Sequence, residues 1–593
     1  MFTARHLIIC LILALASNTW LDAARAADAA AQPNIILVIT DDQGYGDIGA
    51  HGNTMIRTPN LDRLHGQSIR LTDYHVDPTC SPTRSALLTG RYSSRTGVWH
   101  TIMGRSIMAS DEVTLAELLH GAGYRTAAFG KWHLGDNYPC RPQDQGFEHT
   151  VVHGGGGIGQ TPDFWGNDYF DDTFWVDGSP TKFEGYCTDV FFREALKFIE
   201  KCKGEGKPFF VYLPTNVPHG PFNVAEKYSK PYVQKGVPQA MANFYGMIEN
   251  ADENMGVLMK KLDDWKLAEN TILIFTTDNG TAGGAGSTGG GRADAKGKNK
   301  KGDSTWPGFN AGMRATKGSQ YEGGHRVPFF IRWPNGKLGQ PRDIEAITAH
   351  IDVLPTLCDL TGVKVPAELK IDGTSLVPLL KDQKVEWSDR TLFVHSQRIE
   401  LPKKWKTSAV MTEQWRLIDG KSLYDIKADP GQQNDIAGKH PAVVEKLRGE
   451  YDKWWDSIST RFDDYVRIAI GSEKENPARL TAHDWHTGDG PVPWNQNMIK
   501  ANTRANGYWA IHVEKAGRYA FTLRRFPAEE GKPIGADVAR IQVGDAKAFS
   551  SIAKDATSVT IEIDLKAGPA KFQSWFGEGE KDTGAFFVEV ERK

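Results

Sequence analysis

A chain of 593 residues with 40% apolar and 24% charged side chains, 61 Gly, 30 Pro and six Cys has a globular profile. At about 150 residues per domain the length suggests up to about four units, and two or three where one α/β unit runs large. The formal charge of −3, from 70 Lys and Arg against 73 Asp and Glu without long single-sign runs, excludes a nucleic-acid groove and a polybasic membrane anchor. Six Cys with no C-x-x-C pair exclude a disulfide scaffold, a zinc ribbon and a thioredoxin-like centre.

Arg5 and His6 precede the apolar stretch Leu7 to Ala16, and Ala24-Arg25-Ala26 follows with small residues at a cleavage position. This pattern predicts a secretory signal peptide over 1–26 and an exported protein, periplasmic or secreted. The stretch is shorter than the ~20 residues a spanning helix needs, and no later segment is longer, so no membrane span is expected. Cys10 leaves with the signal. Five remain, Cys80, Cys140, Cys187, Cys202 and Cys358, and an odd count outside the cytoplasm asks for an explanation of one of them.

Asn34 to Thr40 is a continuous apolar run ending in Asp41-Asp42, as expected for a strand buried on both faces. Similar runs recur: Arg125 to Phe129 before Lys131-Trp132-His133, Pro208 to Leu213 before His219, and Thr271 to Thr276 before Asp278-Asn279. Between them Thr114 and Glu117 form a capping box ahead of Leu118, with Gly121 as the stop, and Phe191 to Ile199 reads as a helix. Strands alternating with helices predict an α/β fold, a mostly parallel central sheet covered by helices on both faces, here assigned to 33–385. Ligands bind beyond the carboxyl ends of such strands, where all four polar groups fall. Gly280 to Lys301 reads as a flexible loop at the rim. A smaller α+β subdomain is expected over 386–470, its last helix burying Val444, Leu447, Tyr451, Trp455 and Ile458. Gly471 to Pro477 reads as a linker. Alternating strands at Tyr508–Val513, Tyr519–Leu523 and Val559–Leu565 predict a β-rich, sandwich-like tail over 478–593, with Trp485, Trp494, Trp509 and Trp575 as core residues in preference to sugar platforms.

Gly44-Tyr-Gly46-Asp-Ile-Gly49 matches a dinucleotide fingerprint, but no helical pattern follows it, and Asp41, Asp42 and Asp47 would repel a pyrophosphate. Those acids suit a cation. Asp41, Asp42, Asp278 and Asn279 end two strands and offer only oxygen, which selects calcium or magnesium over zinc. Cys80 opens a helix that Pro82 starts and Gly90 stops, a setting that favours negative charge. A thiolate nucleophile is the ordinary reading there, yet an exposed thiolate is vulnerable in an oxidising compartment.

Cys80-Ser-Pro82-Thr-Arg84, continuing to Leu88-Thr89-Gly90, resembles the signature of the sulfatase family, within the alkaline-phosphatase-like superfamily. Asp41 to Asp47, Gly130 to Gly135, Pro218-His219, Thr277 to Gly280 and Lys317 to Pro328 are similar to its other site segments, in order. The resemblance spans about Pro33 to Ile458. It implies that Cys80 becomes formylglycine through a maturating enzyme, which also accounts for the odd cysteine. It implies an arylsulfatase-type hydrolase that converts sulfate monoesters, aryl or carbohydrate, to alcohol and inorganic sulfate. Asp41, Asp42, Asp278 and Asn279, with the formylglycine at 80, would hold one calcium ion. Lys131 and Lys317 would bind sulfate oxygens, Arg84 would steady the formylglycine, His219 would protonate the leaving oxygen, and His133 would take the proton that releases sulfate. A formylglycine-dependent phosphate or phosphonate ester hydrolase and a catalytically silent glycan-binding protein are the competing readings. His100, His153, His325 and Gly154 to Gly157 are further candidates for the pocket lining. Cys140, Cys187, Cys202 and Cys358 are open to disulfides or to buried thiols.

Overall fold

The computed structural model describes residues 32–283, 307–382, 387–577 and 582–593. The expected signal peptide, Gly284 to Lys301 of the expected rim loop and the 385/386 junction lie outside them.

Asn34–Thr40 lies inside a ten-stranded sheet. It runs parallel to Thr271–Thr277 on one side and to Phe209–Pro214 on the other. Arg125–Lys131 and then His149–His153 continue the parallel run. Antiparallel pairs flank this centre, with Phe329–Arg332 beside Thr271–Thr277 and Thr173–Val176 beside His149–His153. All seven residues of Asn34–Thr40 are buried, because both sheet faces are covered. Ile35, Leu37 and Ile39 point to one core, packed by helices Cys80–Thr89, Leu115–Gly121 and Val353–Thr361. Ile36 and Val38 point to the other, packed by Cys187–Glu205 and Gln239–Asp264. Each such aliphatic side chain contributes about 1.5–3 kcal/mol by leaving water, so the strand is held from two sides. The Thr114–Glu117 capping box is formed in both directions, at 3.2 and 2.8 Å. The fingerprint-like glycines lead into a three-residue turn of helix, Gly49–His51, in place of a phosphate-binding helix.

A four-stranded antiparallel sheet from Leu392 to Asp425 carries helix Pro441–Ile458, which buries the five expected residues and also Trp454. His395 fastens this sheet to the α/β unit, its Nε2 lying 2.5 Å from Ser94 Oγ. Burial lowers the His395 imidazole to about 4, with Asp77 opposing. A base depressed from an unfolded value near 6.5 adds stability that is present above pH ~6.5 and is lost as pH falls towards 4. Replacing His395 with Gln is therefore expected to flatten the fall in melting temperature between about pH 7.5 and 5, by the equivalent of about 1–2 kcal/mol. Parallel pH slopes for the two proteins would count against a buried neutral imidazole.

The tail consists of a five-stranded and a four-stranded sheet around one core that includes Trp485 and Trp509. Trp494 and Trp575 are only half-buried, so the expectation of four core tryptophans holds for two. Ile468–Ile470 pairs in parallel with Tyr508–Val513, so the tail's sheet takes in a strand that precedes the expected linker. The linker itself is fastened, since Tyr138 N–H donates to Glu475 Oε2 at 2.8 Å. Cys140, Cys187, Cys202 and Cys358 are buried free thiols. Burial raises Cys140, Cys202 and Cys358 to about 12. No helix among the described residues is long and apolar enough to cross a membrane.

Candidate active site

The parallel strands deliver their carboxyl ends to one place, and three of them, Asn34–Thr40, Arg125–Lys131 and Thr271–Thr277, end in or lead into charged side chains. Lys131 Nζ donates to Asp41 Oδ2 at 2.7 Å, with both side chains fully buried. Arg84, one turn into helix Cys80–Thr89, donates through Nε and Nη2 to Asp278 Oδ2 at 3.2 and 2.7 Å, and through Nη1 to the Lys131 carbonyl at 3.0 Å. Lys317 donates to Asp42 Oδ1, and His219 Nε2 lies 3.9 Å from Asp42 Oδ2. Asp42 takes a left-handed φ of 73°, which lets its backbone N–H turn to Asp278 Oδ1 at 3.1 Å. Three carboxylates thus meet three cations in a largely buried site. Deleting one partner of such a buried pair costs about 3–5 kcal/mol, because the other charge is left alone.

Two oxygens in this cluster have no hydrogen-bond partner among the described residues, Asp41 Oδ1 and Asn279 Oδ1. The Asn279 amide is fixed, since Nδ2 donates to Asp42 Oδ1 at 2.9 Å and to the Gly280 carbonyl at 3.0 Å, which leaves Oδ1 unengaged. The candidate ligand atoms of Asp41, Cys80 and Asp278 lie within 4.8 Å of one another. Burial and then the Asp41 charge raise the Asp278 carboxyl against the pull of Arg84, whereas Lys317, His219 and Lys131 overcome burial at Asp42 and hold it well below the usual range. Orphaned buried oxygens beside crowded carboxylates fit a hard divalent cation, which would relieve both costs. Asp47 stands apart from this set, accepting the Gly44 N–H at 2.8 Å within its own turn.

Two imidazoles flank the cluster. Nδ1 of His219 faces the Gly220 carbonyl at 2.7 Å. Nε2 of His133 faces the Thr101 carbonyl at 2.9 Å, so Nδ1 carries the lone pair, and it has no partner among the described residues. Burial, followed by the charges of Lys131 and His483, drives the His133 imidazole well below its ordinary value. It is therefore a neutral, proton-accepting group. Gly156 lies flat on this ring: a Cβ built there would sit 2.2 Å from His133 Cε1, and one at Gly157 would sit 3.1 Å from the His219 ring.

The Sulfatase family model matches residues 33–363, more than half of the chain, and that of the N-sulphoglucosamine sulphohydrolase C-terminal region matches 316–454. The chain belongs to the sulfatase family. This sulfatase is thereby a sulfuric ester hydrolase of the alkaline-phosphatase-like superfamily. It is 30% identical to mouse (Mus musculus) arylsulfatase G over 401 residues, covering 61% of this chain and 71% of that one. It is 27% identical to an N-acetylgalactosamine-6-O-sulfatase of Bacteroides thetaiotaomicron, with 72% of this chain and 94% of the relative covered. The crystal structure of Ps i-CgsB in complex with k-i-k-neocarrahexaose superimposes with a TM-score of 0.62 at 27% identity, covering 72% of this chain and 93% of that one.

The sulfatase brings Asp41, Asp42, Cys80, Arg84, Lys131, His219, Asp278, Asn279 and Lys317 into one contiguous cluster. His133 stands beside it, linked through the Gly154 to Gly157 loop. His153 is buried next to that loop, and its imidazole is lowered to about 3, chiefly by burial. His325 is not in the pocket. It pairs with His75 at 3.0 Å inside a buried network in which Arg416 binds Glu322 and Asp73. The sequence reading missed two features. Gln160 Oε1 accepts the Gly156 N–H at 2.8 Å and so holds the glycine loop against both imidazoles, which the run of four glycines signals only as a place of close approach. His483, from the tail, brings its ring centroid within 6.1 Å of that of His133. A contact between segments 350 residues apart leaves no local signal.

Proposed function

We propose that the protein is an exported sulfatase that removes sulfate from saccharides, with Cys80 oxidised to formylglycine and one calcium ion held by Asp41, Asp42, Asp278 and Asn279. The observation that carries the reading is the buried meeting of Cys80, three acid–base pairs and two orphaned oxygens at the strand ends. The saccharide class is supported by the N-acetylgalactosamine-6-O-sulfatase and the neocarrahexaose complex. Export is supported by the apolar stretch Leu7 to Ala16 followed by Ala24-Arg25-Ala26.

A sulfate monoester is already an anion, and its bridging oxygen gains negative charge as the S–O bond breaks, so cations must be in place beforehand. Lys131 and Lys317 supply two, each paired with its own acid. Calcium, when bound, adds positive charge against the sulfate oxygens and the nucleophile. A hydrated aldehyde at position 80 supplies a hydroxyl nucleophile and a second hydroxyl through which sulfate can be expelled without attack by free water. Arg84, locked by Asp278 and the Lys131 carbonyl, fixes the helix turn that carries residue 80. His219 hands a proton to the departing alcohol, and His133 Nδ1 accepts one as sulfate leaves, so the alcohol, sulfate and one proton balance the ester and water. Each such group typically supplies ~10²–10⁴ in rate.

The deciding experiment is parallel turnover of 4-methylumbelliferyl sulfate, the matching phosphate, and a panel of N-acetylgalactosamine 6-sulfate, N-acetylglucosamine 6-sulfate, carrageenan and ulvan oligosaccharides. Release of sulfate from a saccharide, with the phosphate left intact, is expected. A clear preference for phosphate would sink the reading in favour of a phosphate or phosphonate hydrolase.

The ion is testable without turnover. Removal by EDTA is expected to lower the melting temperature by about 4–8 °C, with recovery in calcium, as a ligand at 100 times its Kd stabilises by about 2.7 kcal/mol. A melting temperature indifferent to both treatments would remove calcium from the proposal.

A further inference from the structure

Both family models end at or before residue 454, yet a residue of the tail, His483, packs beside His133. The turn Ala482–Asp484 is held within the tail by Ala482 N–H donating to the Phe586 carbonyl at 2.8 Å. It is held against the α/β unit by Met103 N–H donating to the His483 carbonyl at 3.0 Å. Close packing around it leaves no play. Gly104 has a φ of +62°, and a Cβ there would lie 2.4 Å from His486 Nε2, while His486 Nδ1 lies 2.8 Å from Glu400 Oε1. The Arg105 guanidinium lies over both Trp99 and Tyr465, at 4.5 and 4.2 Å from their centroids. On the other flank, Gln496 Nε2 donates to the carbonyls of Gln160, Asp163 and Phe164, clamping the loop that seats Gly156 and Gly157.

His483 is 1% exposed, and its Nδ1 lies 3.0 Å from Asp484 Oδ1. The carboxylate therefore accepts the hydrogen bond of Nδ1–H and fixes the tautomer, which leaves Nε2 as a lone-pair acceptor. That Nε2 is buried without a partner among the described residues, as is Nδ1 of the neighbouring His133. The two rings are tilted by 58°. An imidazole oriented by a carboxylate and left with one buried unpartnered nitrogen is an unmet hydrogen-bonding demand in the free protein, and a bound ligand meets such a demand. The groups assigned to sulfate all come from the α/β unit, so contacts to the remainder of the substrate are left to other residues, and His483 Nε2 is an unpartnered nitrogen beside His133.

We propose that His483 is a substrate-contacting residue of this sulfatase: its Nε2 hydrogen-bonds a hydroxyl or ring substituent of the saccharide that carries the sulfate, so that the tail selects the sugar while the α/β unit cleaves the ester. The inference rests on the saccharide reading given above.

The test compares wild type, His483→Ala and His483→Gln in the full chain, using 4-methylumbelliferyl sulfate and the fastest saccharide of the panel. His483→Ala is expected to lose about 10- to 100-fold more kcat/KM on the saccharide than on the aryl sulfate, mainly through KM, as one buried hydrogen bond is removed. Gln, whose amide oxygen restores a hydrogen-bond acceptor at similar reach, is expected to recover most of that gap. Equal losses on the two substrates would assign His483 to holding His133 or the fold, and no loss on either would make it a bystander; both results overturn the proposal. A wild type that cleaves aryl sulfate but no saccharide overturns the saccharide reading and this inference together. Saccharide turnover indifferent to His483 overturns the inference alone.

Discussion

Replacing Cys80 with Ala is expected to abolish sulfate release, with a loss of roughly 10⁵–10⁶ in kcat, the scale on which enzymes lose rate when a nucleophile is deleted. The fold should hardly notice. Cys80 is buried, and the change removes a single sulfur from the first turn of a helix whose Gly90 cap, with φ 68°, is untouched. A drop in stability of about 1–2 kcal/mol is the scale for so small a cavity. The companion measurement is the mass of the tryptic peptide Leu71 to Arg84 from active wild type, expected to show the thiol replaced by an aldehyde oxygen. Cys80→Ser sharpens the point: a hydroxyl at that place, without the second oxygen of the hydrated aldehyde, has no route for expelling sulfate, so this variant should be as inactive as Ala. Active protein with an unmodified Cys80 would overturn the chemistry proposed for this position while leaving the family assignment standing.

The parts of the site legible in the sequence are those carried by strand ends. Asn34–Thr40 and Thr271–Thr277 are buried on both faces, so aliphatic and aromatic side chains fill their middles with only Asn and Thr at the ends, and the first carboxylate after each run is the first that can leave the sheet. That made Asp41, Asp42, Asp278 and Asn279 conspicuous, and parallel pairing then had to bring them together. Lys131 followed from the same rule, whereas His219 lies five residues beyond the end of its strand. The remainder depended on contacts between distant segments. Nothing around His325 separates a pocket residue from a member of the Arg416 network, because its partner His75, and Arg416, which binds His75 in turn, lie far along the chain in opposite directions. Likewise, Ala482–Asp484 reads as an ordinary turn before a β-strand region, and its place beside His133 arises only from docking the tail. Half-buried Trp494 and Trp575 have the same origin, since aromatic content reports a tendency to be buried and not which face of a strand looks inward.

The ionic arrangement has a further consequence for charge balance. With the described groups alone, the three acids Asp41, Asp42 and Asp278 are neutralised by Lys131, Lys317 and Arg84. Arg84 is engaged through all three of its nitrogens and cannot leave Asp278 cheaply. Lys131 and Lys317 each donate to a single acid and have rotatable stems, so they are the cations that could turn towards a substrate anion if a divalent ion took over the carboxylates. A divalent ion added to this neutral set would leave the site net positive, a charge that a sulfate ester anion would in part offset.

Gly156→Ala is expected to cost about 10²–10³ in kcat, although residue 156 carries no functional group. The added methyl would sit 2.2 to 2.8 Å from three atoms of the His133 ring, closer than any real contact, so either the ring or the loop must move. The ring has little room: it is buried, lies beside His483, and is pinned through Nε2 to the Thr101 carbonyl. The loop has little more, because Gly156 N–H is bonded to Gln160, whose backbone is in turn clamped by Gln496. Whichever yields, the His133–Thr101 bond that sets the tautomer is strained, and Nδ1 loses its aim as proton acceptor. Overpacking of this size destabilises by about 1–3 kcal/mol, so the melting temperature should fall modestly while KM stays near that of wild type. Gly157→Ala provides the scale, since its methyl would meet the His219 ring at 3.1 Å, a contact that a few tenths of an ångström of adjustment relieves. The rate order wild type, then Gly157→Ala, then Gly156→Ala by a wide margin follows directly from those distances. A Gly156→Ala enzyme with kcat within about threefold of wild type would mean that His133 does not perform the proton transfer assigned to it, because a displaced base cannot retain a 10²–10⁴ contribution.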